Sequence, residues 1–178
     1  GLAACAKPVI LILIGEKWLV AAEYLQIICF SGMLYPLHAI NLNILQVKGR
    51  SDLFLKLEII KKGLAILPIT LGIIYGIKVM LLAQVFNSFL AYYLNARYSK
   101  SMVNYSVKEQ IADILPTFLV SLGVAGVMWG ITWLDLNVYL QLIVQVSVGL
   151  TLAGVIYEKL NLEEYKELKG IALSILKR

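Results

Sequence analysis

The sequence predicts an all-helical integral membrane protein. Apolar residues make up 60% of the chain and charged residues 15%, whereas soluble domains contain roughly 45–50% and 25%. Apolar runs such as residues 8–14 and 63–75 do not alternate with polar residues as membrane β-strands do. A helix pairs all of its own backbone polar groups inside lipid. About six transmembrane helices are therefore predicted, at residues 1–14, 19–47, 63–77, 79–96, 111–134 and 137–157.

The Lys and Arg residues lie in alternate connectors between these stretches. Connectors 48–62 and 97–108 hold five and three cations, and residues 159–178 hold five. The opposite connectors hold only Lys17 and Lys78. Cations concentrate in the cytoplasmic loops of multi-pass membrane proteins. We therefore expect the cation-rich segments and the C-terminus to face the cytoplasm.

Individual stretches carry signals for bends and turns. The second stretch is long enough to cross a bilayer with tilt, and we expect it to bend at Pro36, which cannot donate a backbone hydrogen bond. The third begins as an amphipathic helix in which Glu58 and Lys62 are spaced as an i,i+4 ion pair. A tight turn at residues 76–78 and a hairpin through residues 134–137 are expected to connect the later stretches.

The last hairpin is expected to be held by close packing within the chain. Gly126 and Gly130 have the GxxxG spacing that allows two helices to approach closely, with dimerisation as the alternative. We interpret Gln141 and Gln145 as interhelical hydrogen-bonding groups.

The chain is expected to consist of two parts. Residues 1–158 are predicted to form a transmembrane helical lobe, and residues 159–178 a cytoplasmic amphipathic helix that lies along the membrane surface. The first residue is Gly rather than Met, and the first stretch is shorter than the roughly 20 residues that a span needs. We therefore expect the chain to be the C-terminal piece of a larger protein.

Motifs for catalysis and metal binding are missing from the sequence. His38 is the one histidine and has no acidic residue near it in its stretch, and there is no HExxH, CxxC, P-loop or GxSxG motif. Cys5 and Cys29 are interpreted as buried free thiols. The net charge of +5 is spread over several loops rather than along one basic stripe, which disfavours nucleic-acid binding. We expect no enzymatic activity, no metal and no cofactor.

Neutral polar residues inside the apolar stretches are the candidates for a substrate cavity. His38 and Asn41 lie one turn apart in the second stretch, and Gln84, Asn87 and Asn95 follow one face of the fourth. In lipid such groups must face neighbouring helices or water. They are therefore interpreted as the wall of a hydrated cavity or as hydrogen bonds between helices, and both readings stay open.

Two charged residues come near membrane depth. Lys7 lies about two turns before Gly15, and Glu23 lies about one turn inside the outer interface. A charge at a helix centre costs about 2.5–3.5 kcal/mol on insertion scales. Lys7 is therefore the best candidate for contact with an anionic group.

Several segments resemble the polysaccharide transporter family. They are PVILILIGEKW at 8–18, AEYLQI at 22–27 and NILQVKGRSD at 43–52, and the motifs between Tyr98 and Pro116 resemble the cytoplasmic loop of bacterial members. The family comprises the Wzx-type O-antigen and exopolysaccharide flippases of the multidrug/oligosaccharidyl-lipid/polysaccharide superfamily. The resemblance covers most of residues 8–135.

This resemblance implies a fold and a function. The six stretches would form most of the C-terminal lobe of a MATE-like transporter, as helices nine to fourteen of a 14-helix form or seven to twelve of a 12-helix form. The substrate would be an undecaprenyl-pyrophosphate-linked oligosaccharide, moved to the periplasmic leaflet of the bacterial inner membrane for lipopolysaccharide or capsular polysaccharide synthesis. Other glycan-assembly membrane proteins would be further partners. The resemblance carries over no specific substrate-binding residue.

Three alternative functions stay open. A cation-coupled multidrug antiporter of the same superfamily would need an acidic residue at membrane depth, and Glu23 is the one weak candidate. A glycan-assembly enzyme would need large periplasmic loops, whereas the outer connectors are only a few residues long. A scaffold subunit without transport activity would use the polar residues for helix packing alone.

Overall fold

Helices account for most of the chain that the computed structural model describes, which is residues 1–160 without the side chain of Ser101. Two single-turn 3₁₀ helices, Glu16–Trp18 and Ile131–Trp133, accompany seven α-helices. These are α1 Ala6–Leu13, α2 Leu19–Gly32, α3 Tyr35–Val47, α4 Ser51–Tyr75, α5 Ile77–Val103, α6 Val107–Gly130 and α7 Val138–Lys159. The all-α prediction is confirmed for this range, and the surface helix predicted for 159–178 lies outside it beyond residue 160.

Four helical stretches are long and apolar enough to cross a membrane. In the most apolar 18-residue window of each, only 11–17% of the residues are buried inside the protein. Apolar surface exposed on this scale is suited to lipid rather than to water. The protein is therefore an all-α membrane protein. The four stretches are Glu16–Val47, Ile77–Lys100, Val107–Trp133 and Val138–Lys159.

The predicted count of six spans stays a prediction. α1 is only eight residues long, which is too short to cross the hydrocarbon core. α4 has 25 residues but carries four charged side chains between Lys56 and Lys62. These two helices are therefore not among the four span-length apolar stretches.

The second apolar stretch is divided into two helices near Pro36. α2 ends at Gly32, and α3 begins three residues later, at Tyr35, with Pro36 in its first turn. Pro36 has no backbone N–H to donate to the carbonyl of Gly32, so the helical hydrogen-bond ladder is interrupted there. This interruption agrees with the bend predicted from the sequence.

α4 and α5 form a tight hairpin. Gly76 alone separates them and has a φ of +91°, a backbone conformation that glycine adopts readily. Close to the turn, a Cβ added at Gly72 would come within 2.7 Å of the Cβ of Met80. The missing side chain at Gly72 therefore allows the two helices to approach closely, and the turn predicted at residues 76–78 is confirmed.

α5 lies at the centre of the bundle. It packs against α2, α3, α4 and α6, and α6 packs against α7. The predicted hairpin through residues 134–137 connects α6 to α7. α1 contacts both α2 and α7, so the first helix lies beside the last described one. A small apolar core of Ala4, Cys5, Val124 and Met128 joins the segment before α1 to α6, and apolar residues of α7 pack against it.

The close approach predicted at Gly126 and Gly130 is wrong within the described residues. A Cβ added at either glycine would meet no atom within 4 Å, so both face open space. The tight contact of this hairpin is instead made by Gly149 of α7, which lies against the side chain of Met128. Gln145 adds the interhelical hydrogen bond expected of it, because its Nε2 donates to the carbonyl oxygen of Met128 at 2.9 Å.

Candidate functional site

A polar cavity of about 620 Å³ lies among α2, α3, α4 and α5. Its size falls within the range of small-molecule sites, roughly 300–1,000 Å³. One wall residue, Ser88, lies roughly 17 Å along α5, whose total length is about 40 Å. The cavity therefore lies near the middle of this helix. Its polar side chains are Ser31, Tyr35, His38, Glu58, Lys61, Gln84, Asn87 and Ser88.

One face of α5 forms a large part of the wall. Gln84, Asn87, Ser88 and Ala91 all line the cavity, and their spacing of three or four residues places them on one side of the helix. The side chain of Gln84 is exposed, that of Asn87 half-buried and that of Ser88 buried. Gln84 and Asn87 of the polar stripe identified in the sequence therefore lie along one cavity wall, whereas Asn95 does not line it.

His38 connects the cavity to a buried polar cluster. Asn95 Nδ2 lies 3.2 Å from His38 Nδ1, and His38 Nε2 lies 3.3 Å from Ser88 Oγ. An amide nitrogen can only donate, so Nδ1 accepts and the proton of the neutral ring is on Nε2, which donates to Ser88. The ring of Tyr92 packs edge-on against the imidazole, with centroids 6.3 Å apart. The orientation of His38 is therefore fixed by three side chains of α5.

Asn41 lies behind His38 in a second set of hydrogen bonds. Its Nδ2 donates to Gln110 Oε1 at 3.0 Å, and Gln110 Nε2 donates back to Asn41 Oδ1 at 3.1 Å. Ser99 Oγ also donates to Asn41 Oδ1, at 2.5 Å, and the Tyr92 hydroxyl donates to Gln110 Oε1, at 3.1 Å. Asn41 is 1% exposed and Gln110 3%. These side chains hold α3, α5 and α6 together and do not reach the cavity.

Asn95 is fully buried, and its amide is only partly satisfied. Its Nδ2 donates to His38, but its Oδ1 has no hydrogen-bond partner. An unpaired buried acceptor costs about 1–3 kcal/mol. The cluster behind the cavity therefore contains one acceptor that the surrounding described residues do not satisfy.

The cavity wall contains an ion pair whose two residues are not among the site residues proposed from the sequence. Lys61 Nζ contacts the Glu58 carboxylate, and the Lys61 side chain is only 18% exposed. The predicted pairing of Glu58 with Lys62 is wrong, because Glu58 pairs with Lys61, and Lys62 is exposed and does not line this wall. The sequence does contain a signal for the position of Lys61. The small or cyclic residues at positions 65, 68 and 72 follow it at intervals of three or four, so all four residues share the helix face that is directed towards α5.

Lys7 does not belong to this cavity. It lies on α1, which packs against α2 and α7, and its side chain is exposed. Glu23 is likewise outside the cavity, and its Oε2 accepts from Lys78 Nζ at 2.8 Å, with both side chains more than half exposed. The two charges noted near membrane depth therefore lie at the protein surface.

The structure thus divides the six candidates into three groups. His38, Gln84 and Asn87 line the cavity, and Lys7 is remote from it. Asn41 and Asn95 lie behind the wall, in the packing contacts that the alternative interpretation predicted. The wall offers amide, hydroxyl and imidazole groups together with one ion pair, a combination suited to a polyhydroxylated ligand. In residues 1–160, His, Cys, Asp and Glu side chains form no group of three that could hold a metal ion.

Comparisons of the chain with family models, with curated proteins and with solved structures find no match.

Proposed function

We propose that the protein is a flippase for a lipid-linked oligosaccharide in a bacterial inner membrane. The observation that carries the proposal is a cavity of about 620 Å³, lined by Gln84, Asn87, Ser88 and His38, near the middle of a helix of span length. Sugar hydroxyls both donate and accept hydrogen bonds, and these side chains offer both functions. Such a cavity shelters sugars at a depth where lipid offers no polar partner.

The Glu58–Lys61 pair supports an oligosaccharide that carries a charged linkage. Lys61 replaces Lys7 as the proposed contact for the pyrophosphate, because its ammonium lies in the wall beside Gln84 and His38. Glu58 neutralises this ammonium when the cavity is empty, which lowers the cost of keeping a charge in the cavity wall. An incoming pyrophosphate would compete with Glu58 for Lys61.

The proposal includes a topology and a movement. Six spans with cytoplasmic connectors 48–62 and 97–108 fit the distribution of cations, and the C-terminus is then cytoplasmic. Alternating access needs helices that can bend, and the interruption after Gly32 and the turn at Gly76 are the points where the backbone offers this. The protein would perform no chemistry on its substrate.

One observation favours a second candidate, a cation-coupled multidrug antiporter. Such a transporter needs a carboxylate that faces its cavity, and Glu58 lies in the wall. Glu23, the earlier candidate for this role, is paired with Lys78 at the surface. Glu58 is already paired with Lys61, so we rank the antiporter below the flippase.

The proposal is tested by deletion of the gene and measurement of lipid-linked oligosaccharide in each leaflet of the inner membrane. A flippase predicts accumulation in the cytoplasmic leaflet, reversed by the intact gene and by a Lys62→Met variant but not by Lys61→Met. A normal leaflet distribution with increased drug sensitivity would assign the antiporter function. Accumulation of unpolymerised units in the periplasmic leaflet would assign a later step of glycan assembly.

A further inference from the structure

Two cavities on another side of the bundle adjoin each other and share two lining residues. An apolar groove of about 500 Å³ lies between the α2–α3 junction, α5 and α6. A second pocket of about 670 Å³ lies at one end of it, and both are lined by Tyr93 and Val107. Residues that form the apolar groove include Met33, Leu37, Phe89, Ile111, Leu115 and Phe118.

The second pocket is strongly cationic. Arg97 and Lys100 line it from the end of α5, and Lys108 lines it from the first turn of α6. In residues 1–160, no carboxylate lies within 4 Å of any of these three side chains. We name this pair of cavities the amphiphilic site, which consists of the cationic pocket and the apolar groove.

The nearby acidic side chains are already engaged. Glu109 accepts a hydrogen bond from the backbone N–H of Ser106 at 2.5 Å, as one half of a capping box. Asp113 accepts a hydrogen bond from the Tyr105 hydroxyl. Glu109 also interacts electrostatically with Lys100, but the three cations of the pocket outnumber this carboxylate and leave a net positive charge for an external anion.

The cationic pocket of the amphiphilic site lies at the depth of the lipid headgroups, and the apolar groove extends from it into the membrane. The cationic pocket is at the connection between two stretches long enough to cross a membrane, so it is at a membrane surface. The groove follows α6 from Val107 to Phe118, which is roughly 17 Å of helix. Half of a hydrocarbon core is roughly 15 Å thick. The groove therefore has the depth of one leaflet.

We propose that the amphiphilic site binds an anionic glycerophospholipid of the surrounding leaflet. Its phosphate lies among Arg97, Lys100 and Lys108, and one acyl chain follows the apolar groove towards Phe118. Charge complementarity selects the anionic headgroup, and the apolar groove beside the cationic pocket selects a ligand with a tail. This inference depends on the membrane character of the helices and not on the proposed transport activity.

The headgroup is tested with matched charge variants. The complete protein is purified in detergent, and binding of dioleoyl phosphatidylglycerol is measured by native mass spectrometry. Arg97→Gln with Lys100→Gln is compared with Lys56→Gln with Lys62→Gln, which removes two exposed cations from the other cation-rich connector. Each cation near a lipid surface is worth about 5-fold in affinity. We therefore expect a loss of about 25-fold for the first pair and less than 2-fold for the second.

The groove is tested separately, with the charges kept. Ile111 is 50% exposed in the groove, so Ile111→Trp should fill the groove without disturbing the bundle. We expect this variant to bind dioleoyl phosphatidylglycerol several-fold more weakly, while its affinity for the short-chain dihexanoyl form stays unchanged. Helix content and elution volume show whether each variant folds.

Three results would overturn the proposal. The first is an equal loss of affinity in both charge-variant pairs, which would indicate a general surface-charge effect. The second is equal binding of phosphatidylcholine and phosphatidylglycerol by the unmodified protein. The third is tighter binding of undecaprenyl phosphate, lost in the same variants, which would assign the site to an isoprenoid carrier.

Discussion

Asn41 and Gln110 are 69 positions apart in the chain and exchange two hydrogen bonds, at 3.0 and 3.1 Å. Each amide is both donor and acceptor to the other, so the pair fixes the position of α3 relative to α6. The direct packing between α5 and α6 is limited compared with that between α4 and α5. This amide pair and its hydroxyl donors are therefore a major link between the cavity-forming helices and the α6–α7 hairpin.

Loss of one member of this pair should destabilise the protein more than its single hydrogen bonds suggest. Asn41→Leu and Gln110→Met each leave the other amide buried without a partner, and we expect each to cost about 1–3 kcal/mol of unfolding free energy. The double variant should cost clearly less than the sum of the two. Reversible unfolding in mixed micelles gives the four free energies of a double-mutant cycle. Strictly additive costs would show that the two amides are not coupled.

Substitution of two glycines by alanine should have opposite effects. Gly72→Ala places a Cβ 2.7 Å from that of Met80, and we expect the resulting separation of α4 and α5 to cost about 1–3 kcal/mol. Gly126→Ala meets nothing within 4 Å and should be neutral or stabilising by up to about 1 kcal/mol. The comparison is made by thermal unfolding of both variants in the same detergent. A destabilised Gly126→Ala variant would indicate a helix partner at that face.

The cavity wall should be necessary for transport but not for folding. We expect Gln84→Ala combined with Asn87→Ala to lower transport about 10-fold, because two hydrogen bonds of about 0.5–1.5 kcal/mol each are lost to the substrate. The stability should change little, since Gln84 is exposed and Asn87 half-buried. Transport is measured as transfer of lipid-linked oligosaccharide between leaflets of reconstituted vesicles.

The matched control for this prediction is Gln141→Ala, which removes an amide from α7 outside the cavity. It should leave transport unchanged. Normal transport by the double variant would favour a protein in which the polar stripe only packs helices.

Tyr105 should stay protonated well above the usual range for tyrosine. Its hydroxyl donates to the Asp113 carboxylate, and this hydrogen bond raises the pKa of Tyr105 to about 12. Because the neutral form is favoured in the folded protein, its contribution to stability is complete below pH 10 and is lost between about pH 10 and 12. Asp113→Ala should lower the pKa of Tyr105 towards 10. This pKa is measured by ¹³C NMR of the labelled ring.

An Asp135→Ala variant is the control for this titration. Asp135 is an exposed acidic residue in the α6–α7 connection, and its loss should not alter the pKa of Tyr105. Equal shifts in both variants would mean that net charge, rather than the hydrogen bond, controls the titration.

Local features of the fold were predictable from the sequence because they depend on neighbouring residues. Apolar runs and polar connectors determine which segments are helical. Pro36 interrupts the second stretch because of its missing N–H, and Gly76 forms the α4–α5 turn because of its positive φ. The alignment of Gln84 and Asn87 on one face follows from helical periodicity alone.

The remaining features depend on which helix faces are in contact, and the sequence contains no direct signal for this. In the sequence Lys61 is one of five cations in connector 48–62, and its place in the wall depends on how α4 rotates against α5. Gly126 and Gly130 have the motif for close approach, yet their face of α6 is the one without a neighbour. The cations of residues 97–108 are evident in the sequence. That they lie beside an apolar groove depends on how three helices pack, which the sequence does not show.

The contact between α1 and α7 has a consequence for the order of biosynthesis. The two helix centres are about 140 residues apart, which at 5–20 residues per second corresponds to roughly 7 to 28 s of translation. The core of Ala4, Cys5, Val124 and Met128 cannot form before α6 leaves the ribosome, and α7 follows later. Within the described residues, α1 has α2 and the adjoining 3₁₀ helix as partners until α6 and α7 are made, so during that interval the face of α1 that later packs against α7 is left to lipid or to the insertion machinery.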